Sequence, residues 1–360
     1  MGNRFGDNSA AFFDYCNVYK ENAYKYYWLS DNAKVVDSIK SKGWDAYLKK
    51  SFKGIWISLR ASLFITSHGL KDVLFYSVKS KRAPELYFHH GIPLRGAKIS
   101  KDGLKDTALK NNRPQEITYM VATSVWGGNR QRKNIPVEQS KVLVTGYPRN
   151  DLFFNYDKKQ YKSIKSDLGL NGYTILYAPT WRKWEQTKYF PFNDFELDGL
   201  VRFFRKNKIT IVLRPHSVDM YRRDDGDIIN NLDFCNDVIK IISIDEYEDT
   251  QKLLLASDCL ITDYSSIFYD YLLLERPIIF LPYDKEIYSK RMGDFLGDYD
   301  YETPGIKLYE QKLFIDYVSK IKNGRDEFNE ARNNLCNLAH KYLDGNSSER
   351  VFRFIDEMMN

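Results

Sequence analysis

Cysteine is scarce in this 360-residue chain: Cys16, Cys235, Cys259 and Cys336 stand far apart, with no metal-ligand or redox spacing. Reduced thiols in a cytosolic protein are therefore expected. The five histidines contain no HExxH arrangement, so no zinc site is expected, and no other metal site is expected either. No apolar run approaches the ~18–20 residues of a membrane-spanning helix. Residues Met1 to Gly6 lack the apolar core of a signal peptide, and Gly6 stands where a myristoylation signal wants Ser or Thr. The expectation is a cytoplasmic protein whose membrane contact, if it has any, is peripheral. The net charge of +6 is too small to argue for nucleic acid, and no nucleic-acid partner is expected. It suits an anionic substrate or an anionic membrane surface. Repeats and low-complexity segments are also missing.

What is present reads as alternating strands and helices. Short apolar stretches occur at Ala61–Thr66, Glu85–Phe88, Glu116–Val121, Val142–Thr145, Tyr173–Tyr177, Ile209–Leu213, Val238–Ile242, Cys259–Thr262 and Pro277–Leu281. Many are continuous Val/Ile/Leu runs, as in parallel strands buried on both faces. Amphipathic segments such as Phe195–Lys206 and Thr250–Ser257 lie between them. The pattern predicts a doubly wound α/β architecture, and the length accommodates two domains. The polar, Lys-rich stretch 155–172 is the candidate hinge. The expected domains are 1–155, 156–340 and a final helical piece, 341–360, that packs back on the first.

Each unusual polar cluster follows one of these strands, where ligands of open α/β sheets bind. His89-His90-Gly91-Ile92-Pro93-Leu94-Arg95 follows the Glu85 strand. His90 is the general-base candidate, because imidazole titrates near neutrality, and Gly91 permits close backbone approach to a ligand. His89 is read as the neighbour that faces away. Arg214 and His216, two apart in extended chain, are expected to project together onto diphosphate oxygens; the plain alternative is an ion pair with Asp219. Pro179, Thr180 and Arg182 offer a similar arrangement from another loop, with Trp181 read as core. Arg149 and Asn150 are weaker candidates, since Asn150 or Asp151 can simply cap a helix after the Gly146-Tyr-Pro turn. Ser265 and Ser266 stand where the first free N–H groups of a helix point, which suits a phosphate. Asp263 and Asp270 flank that spot and would repel a phosphate unless they hold a hydroxyl or a cation. Lys98, Lys101, Lys105, Arg130, Arg132 and Lys133 read by default as a solvated basic face, the alternative being contact with anionic lipid head groups or an anionic polymer.

Taken in order, these motifs resemble the CDP-glycerol glycerophosphotransferase family of teichoic-acid primases and polymerases. The matching elements are His90-Gly91-x-Pro93-Leu94, Gly146-Tyr-Pro-Arg-Asn-Asp151, Tyr177-Ala-Pro-Thr-Trp-Arg182, Arg214-Pro-His216, Thr262-Asp-Tyr-Ser-Ser266 with Asp270, and Arg276-Pro277. The resemblance implies a GT-B fold, two Rossmann-like domains facing across a cleft, with the second holding CDP. It implies His90 as base, and Arg214, His216, Ser265 and Ser266 on the pyrophosphate. Thr180 and Arg182 would lie against the nucleotide. Ile92 and Arg95 depart from the family's Thr and Lys, which puts the acceptor and polyol contacts in doubt.

The implied reaction moves glycerol phosphate or ribitol phosphate from CDP-glycerol or CDP-ribitol to a hydroxyl of a lipid-linked or polymeric envelope acceptor and releases CMP. His90 and His216 are the catalytic candidates. No cofactor or metal is required, because fixed cationic and N–H donors can carry the diphosphate charge. The expected location is the inner face of the cell membrane. Two alternatives share these motifs: a GT-B glycosyltransferase using a nucleotide sugar, and a non-catalytic binding protein of an envelope-polymer complex.

Overall fold

A computed structural model describes residues 4–70, 73, 83–96, 118–135, 137–216, 219 and 237–360. The chain divides into two compact units. One comprises Met1–Pro93, Ala97–Phe154 and Leu338–Asn360; the other comprises Leu94–Gly96 and Asn155–Asn337.

In the first unit, β1 (Trp28–Ser30) and β2 (Ala46–Leu48) form a small parallel pair. Strands β3 (Phe64–Thr66), β4 (Glu85–Tyr87), β5 (Tyr119–Ala122) and β6 (Val142–Val144) form a parallel sheet in that order. Leu86, Phe88 and Val121 pack against Phe12 and Cys16 of helix Asp7–Tyr19 and against Val351, Phe352 and Ile355 of helix Ser347–Met359. The last helix thus fills the core of a unit that begins the chain. Asp151 anchors it, accepting from the N–H groups of Ser347 and Ser348, each at 2.8 Å. A carboxylate suits the positive end of the helix dipole there. This corrects the local reading of Asp151, which caps a helix far away in sequence and not the one beside it. Gly146 lies at the same junction with φ +86°, and a Cβ there would meet Ser347 Oγ at 2.3 Å.

In the second unit, β7 (Tyr173–Tyr177), β8 (Ile209–Leu213), β9 (Ile239–Ile241), β10 (Cys259–Thr262), β11 (Ile278–Phe280) and β12 (Ile306–Lys307) form one parallel sheet in the order β12-β11-β10-β7-β8-β9. The chain runs outward from β7 to β9, then returns to β7's other side with β10. The β7/β10 boundary is therefore the topological switch point, where loops diverge and a crevice opens beyond the strand ends. Helix Leu197–Asn207 covers one face through Leu200, Val201 and Phe204, which join Ile175, Ile211 and Phe314 in the core.

Every expected strand overlaps a strand of the structure. The unforeseen ones are β1, β2 and β12. The stretch read as a hinge contains helix Lys158–Asp167, closed by a reciprocal cap between Asp157 and Gln160. Phe204 is fully buried, with its ring near Phe190 and Phe314. Replacing it by Ala should cost ~3–5 kcal/mol, read as a lower urea midpoint at unchanged slope.

Candidate active site

In the first unit, β4 delivers a histidine pair. His89 is buried and takes φ +58°, a backbone region uncommon for non-glycine residues. Its carbonyl accepts from Asn8 Nδ2 at 3.0 Å, and its Nδ1 accepts from the Gly91 N–H at 3.2 Å. Burial, with smaller electrostatic contributions from His90, His68 and Arg149, holds its pKa well below the usual histidine value, so it stays neutral. His90 is exposed. Its ring stacks on His89 at 4.5 Å and on His68 at 5.2 Å. Arg149 pairs with Asp7 and donates to the His90 carbonyl at 3.0 Å. Asn150 is buried one residue further on.

In the second unit, the loops after β7 and β10 meet at the switch point and are fastened together by charge. Asp263 accepts from the Thr180 N–H at 2.8 Å and from its own neighbour Tyr264 N–H at 2.5 Å, and pairs with Arg182 at 2.6 Å. Arg182 forks onto Asp284, Nε to Oδ2 at 3.0 Å and the second amino group to Oδ1 at 2.7 Å. Tyr264, Tyr283 and Tyr288 surround the guanidinium, and Tyr264 also donates to Asp284 at 3.0 Å. Arg182 is 0% exposed. The expectation that it lies against a nucleotide gives way to a structural one: it is the cation that Asp263 holds. Asp270, also buried, accepts from Gln251 Nε2 at 3.1 Å.

Around this fastening stand the remaining candidates. Pro179 is buried, and the Thr180 hydroxyl oxygen is buried without a hydrogen-bond partner. Ser265 and Ser266 are half-buried at the start of the turn Ile267–Tyr271. Ser265 Oγ accepts from the Ile267 N–H at 3.4 Å, and Ser266 makes no capping bond. Arg214 and His216 do not share an environment. Arg214 is buried and donates to the carbonyls of Ser243 at 2.6 Å and Ile242 at 3.2 Å, whereas His216 is exposed. Trp181 is half-buried rather than core, and stacks on His216 at 5.5 Å and 27°. Asp219 accepts from Thr187 Oγ1 at 2.7 Å. Arg95 donates to the Met292 carbonyl, and its backbone bridges Phe295. Of the basic set, Arg130 is buried and donates to the Pro93 carbonyl, which removes it from any solvated face. Lys98, Lys101 and Lys105 lie outside the described residues.

Sequence reasoning missed Asp284, although it follows β11 as the other candidates follow their strands; strand-end position alone would have found it. It also missed Asp7, Asn8 and His68. The first two open a helix and carry no strand-end signal. Among the described residues, no group of three or more His, Cys, Asp or Glu is placed to hold a metal ion.

Removing Arg182 would strand two buried carboxylates. Arg182→Leu should cost ~3–5 kcal/mol in urea unfolding, and Arg182→Lys should recover only part, because an ammonium cannot form the fork.

One family model spans nearly the whole chain. The model of "CDP-Glycerol:Poly(glycerophosphate) glycerophosphotransferase" matches residues 1–357. The chain is 29% identical to a teichoic acid glycerol-phosphate transferase of Staphylococcus aureus, over 98% of this chain and 90% of that one. It is 28% identical to a teichoic acid poly(glycerol phosphate) polymerase of Staphylococcus epidermidis, over 84% of this chain and 42% of that protein. A solved structure of the wall teichoic acid polymerase TagF, a variant soaked with CDPG, shares the fold with TM-score 0.77 at 22% identity. That match covers 99% of this chain and 86% of the other.

Proposed function

The chain belongs to the CDP-Glycerol:Poly(glycerophosphate) glycerophosphotransferase family and is a GT-B transferase that moves a polyol phosphate from a CDP-polyol; we propose that His90 starts the reaction and that the loops at the β7/β10 switch point hold the donor. The acceptor is a lipid-linked or polymeric envelope molecule. Its hydroxyl attacks the phosphorus that carries the polyol. A new O–P bond forms as the bond to the bridging oxygen breaks, and CMP leaves with that electron pair. His90 takes the acceptor's proton. Gly91 leaves backbone room beside it.

The single observation that supports the donor site is Thr180 Oγ1, a buried hydroxyl oxygen without a partner at the switch point. Unsatisfied buried polar groups are rare and call for a ligand or water. Ser265 and Ser266 add hydroxyls, Arg214 adds fixed positive charge, and His216 on Trp181 faces solvent beside them. The Asp263 carboxylate is occupied by Arg182 and by the Thr180 and Tyr264 N–H groups, not open toward the diphosphate. Catalysis on this reading is positioning and electrostatics, without a required metal. His90→Ala should lower kcat by ~10²–10⁴, followed as CMP release from CDP-glycerol and CDP-ribitol with teichoic-acid acceptors. Turnover should survive EDTA. Near-wild-type kcat in folded His90→Ala would sink the base assignment. Thr180→Val should raise the donor KM about 3- to 10-fold, the worth of one neutral hydrogen bond.

No helix among the described residues is long and apolar enough to cross a membrane. Helix Phe52–Arg60 instead suggests peripheral contact. Phe52 (85% exposed), Trp56 (49%) and Leu59 (50%) recur at one-face spacing. Lys50, Lys53 and Arg60 are exposed beside them. Aromatic and aliphatic residues flanked by cations suit an anionic lipid interface. Phe52→Ser with Trp56→Ser should weaken sedimentation with phosphatidylglycerol vesicles by about tenfold or more and leave turnover on a soluble acceptor unchanged. Equal vesicle binding by the double variant would exclude this face.

A further inference from the structure

Both carbonyls of the His89–His90 dipeptide are held by side chains from elsewhere in the first unit. Asn8 is fully buried and donates from Nδ2 to the His89 carbonyl at 3.0 Å. Arg149 donates from one end of its guanidinium to the His90 carbonyl at 3.0 Å. Through the other end it pairs with Asp7. The Arg149 N–H returns to Asn8 Oδ1 at 3.3 Å. These bonds tie the start of helix Asp7–Tyr19 and the turn after β6 to the loop that carries the base. The His90 ring is constrained as well, lying nearly parallel to His68 at 12° and to His89 at 9°.

The arrangement is held against local preference. Asp7 adopts φ +63° and His89 φ +58°, conformations that non-glycine residues take when their surroundings over-determine them. Burial alone would raise the Asp7 carboxyl. Arg149, with His68 and His90, outweighs burial and keeps the carboxyl below its usual range, so it stays ionised beside the guanidinium. Arg149 therefore has its fork committed at both ends. That argues against the role its motif suggests, direct contact with substrate.

We propose that Asp7 and Arg149 form a positioning pair that holds His90 in register for proton abstraction, with Asn8 fixing the preceding carbonyl. The inference rests on His90 being the base. Its chemical logic is that a general base must sit within hydrogen-bond reach of the acceptor hydroxyl, and a misplacement of about 1 Å is enough to cost ~10²-fold. An exposed histidine at a strand end has no such precision unless its backbone is clamped.

The test is steady-state CMP release from CDP-glycerol by the full chain. The variants are Asp7→Asn, Arg149→Lys, His90→Ala, and Asp7→Asn combined with His90→Ala. Asp7→Asn keeps the side chain's shape and removes its charge. It should lower kcat ~10- to 100-fold with the donor KM within about twofold of wild type. Arg149→Lys should lose a similar factor, since one ammonium cannot reproduce the fork. In the His90→Ala background, Asp7→Asn should change the residual rate by less than about twofold, because a positioning residue has nothing left to position. A raised KM at unchanged kcat would make the pair substrate contacts and overturn the proposal. So would an equal loss of rate in the His90→Ala background, which a general folding defect would produce. If His90→Ala itself leaves kcat intact, the base assignment falls and takes this inference with it. If only Asp7→Asn and Arg149→Lys are silent, the inference falls alone. Thermal melting checks folding, and Asn8→Ser gives a second entry to the same clamp should Asp7→Asn fail to fold.

Discussion

A single guanidinium organises the second unit. Arg182 sits between Asp263 and Asp284 with no exposure to solvent, and these acids follow different strands. The loops that follow β7, β10 and β11 are therefore joined by one buried charge network. The apolar core fixes where strands lie, but it does not fix where loops end. Here electrostatics does that, at the cost of desolvating three charges, and the ring of tyrosines and the neighbouring N–H groups offset part of the cost. Ser265, Ser266 and Thr180 owe their positions to this network.

The first unit solves the same problem with different parts. Its loop after β4 carries an exposed imidazole, and the groups that hold the loop act on backbone carbonyls rather than on the ring. The His90 ring is exposed while its main chain is held by buried Asn8 and half-buried Arg149. The two units thus share a plan. Candidate side chains sit at strand ends, and the residues behind them are buried, as Asn8 and Arg182 are, or half-buried, as Asp7 and Arg149 are.

How much of this was legible beforehand follows from the range of the interactions. Strands such as Ile209–Leu213 announce themselves, because burial on both faces demands an unbroken apolar run. Strand-end clusters announce themselves too, since the parallel topology collects them at one edge. Partners at long range do not. Nothing near Asp263 in sequence says that its cation is Arg182, and Arg182 by motif alone looks like a phosphate ligand. Asp7 and Asn8 are ordinary residues of a first helical turn until the fold brings the histidine loop to them. Arg214 and His216 show the opposite failure. Alternation along an extended chain predicted a common direction, but Arg214 found carbonyls to satisfy and went inside. Short strands such as β12 carry too few residues for any pattern to register.

The helix Ser347–Met359 has a consequence for how the protein is made. It supplies Val351, Phe352 and Ile355 to a core whose other members, Phe12, Leu86 and Val121, are synthesised far earlier. During translation those early residues leave the ribosome without the surface that covers them. The second unit, drawn almost entirely from one continuous stretch, has no such wait. The core of the first unit thus needs residues synthesised after the whole of the second unit's continuous stretch. The core of the unit that carries the proposed base closes only once Ser347–Met359 has been synthesised.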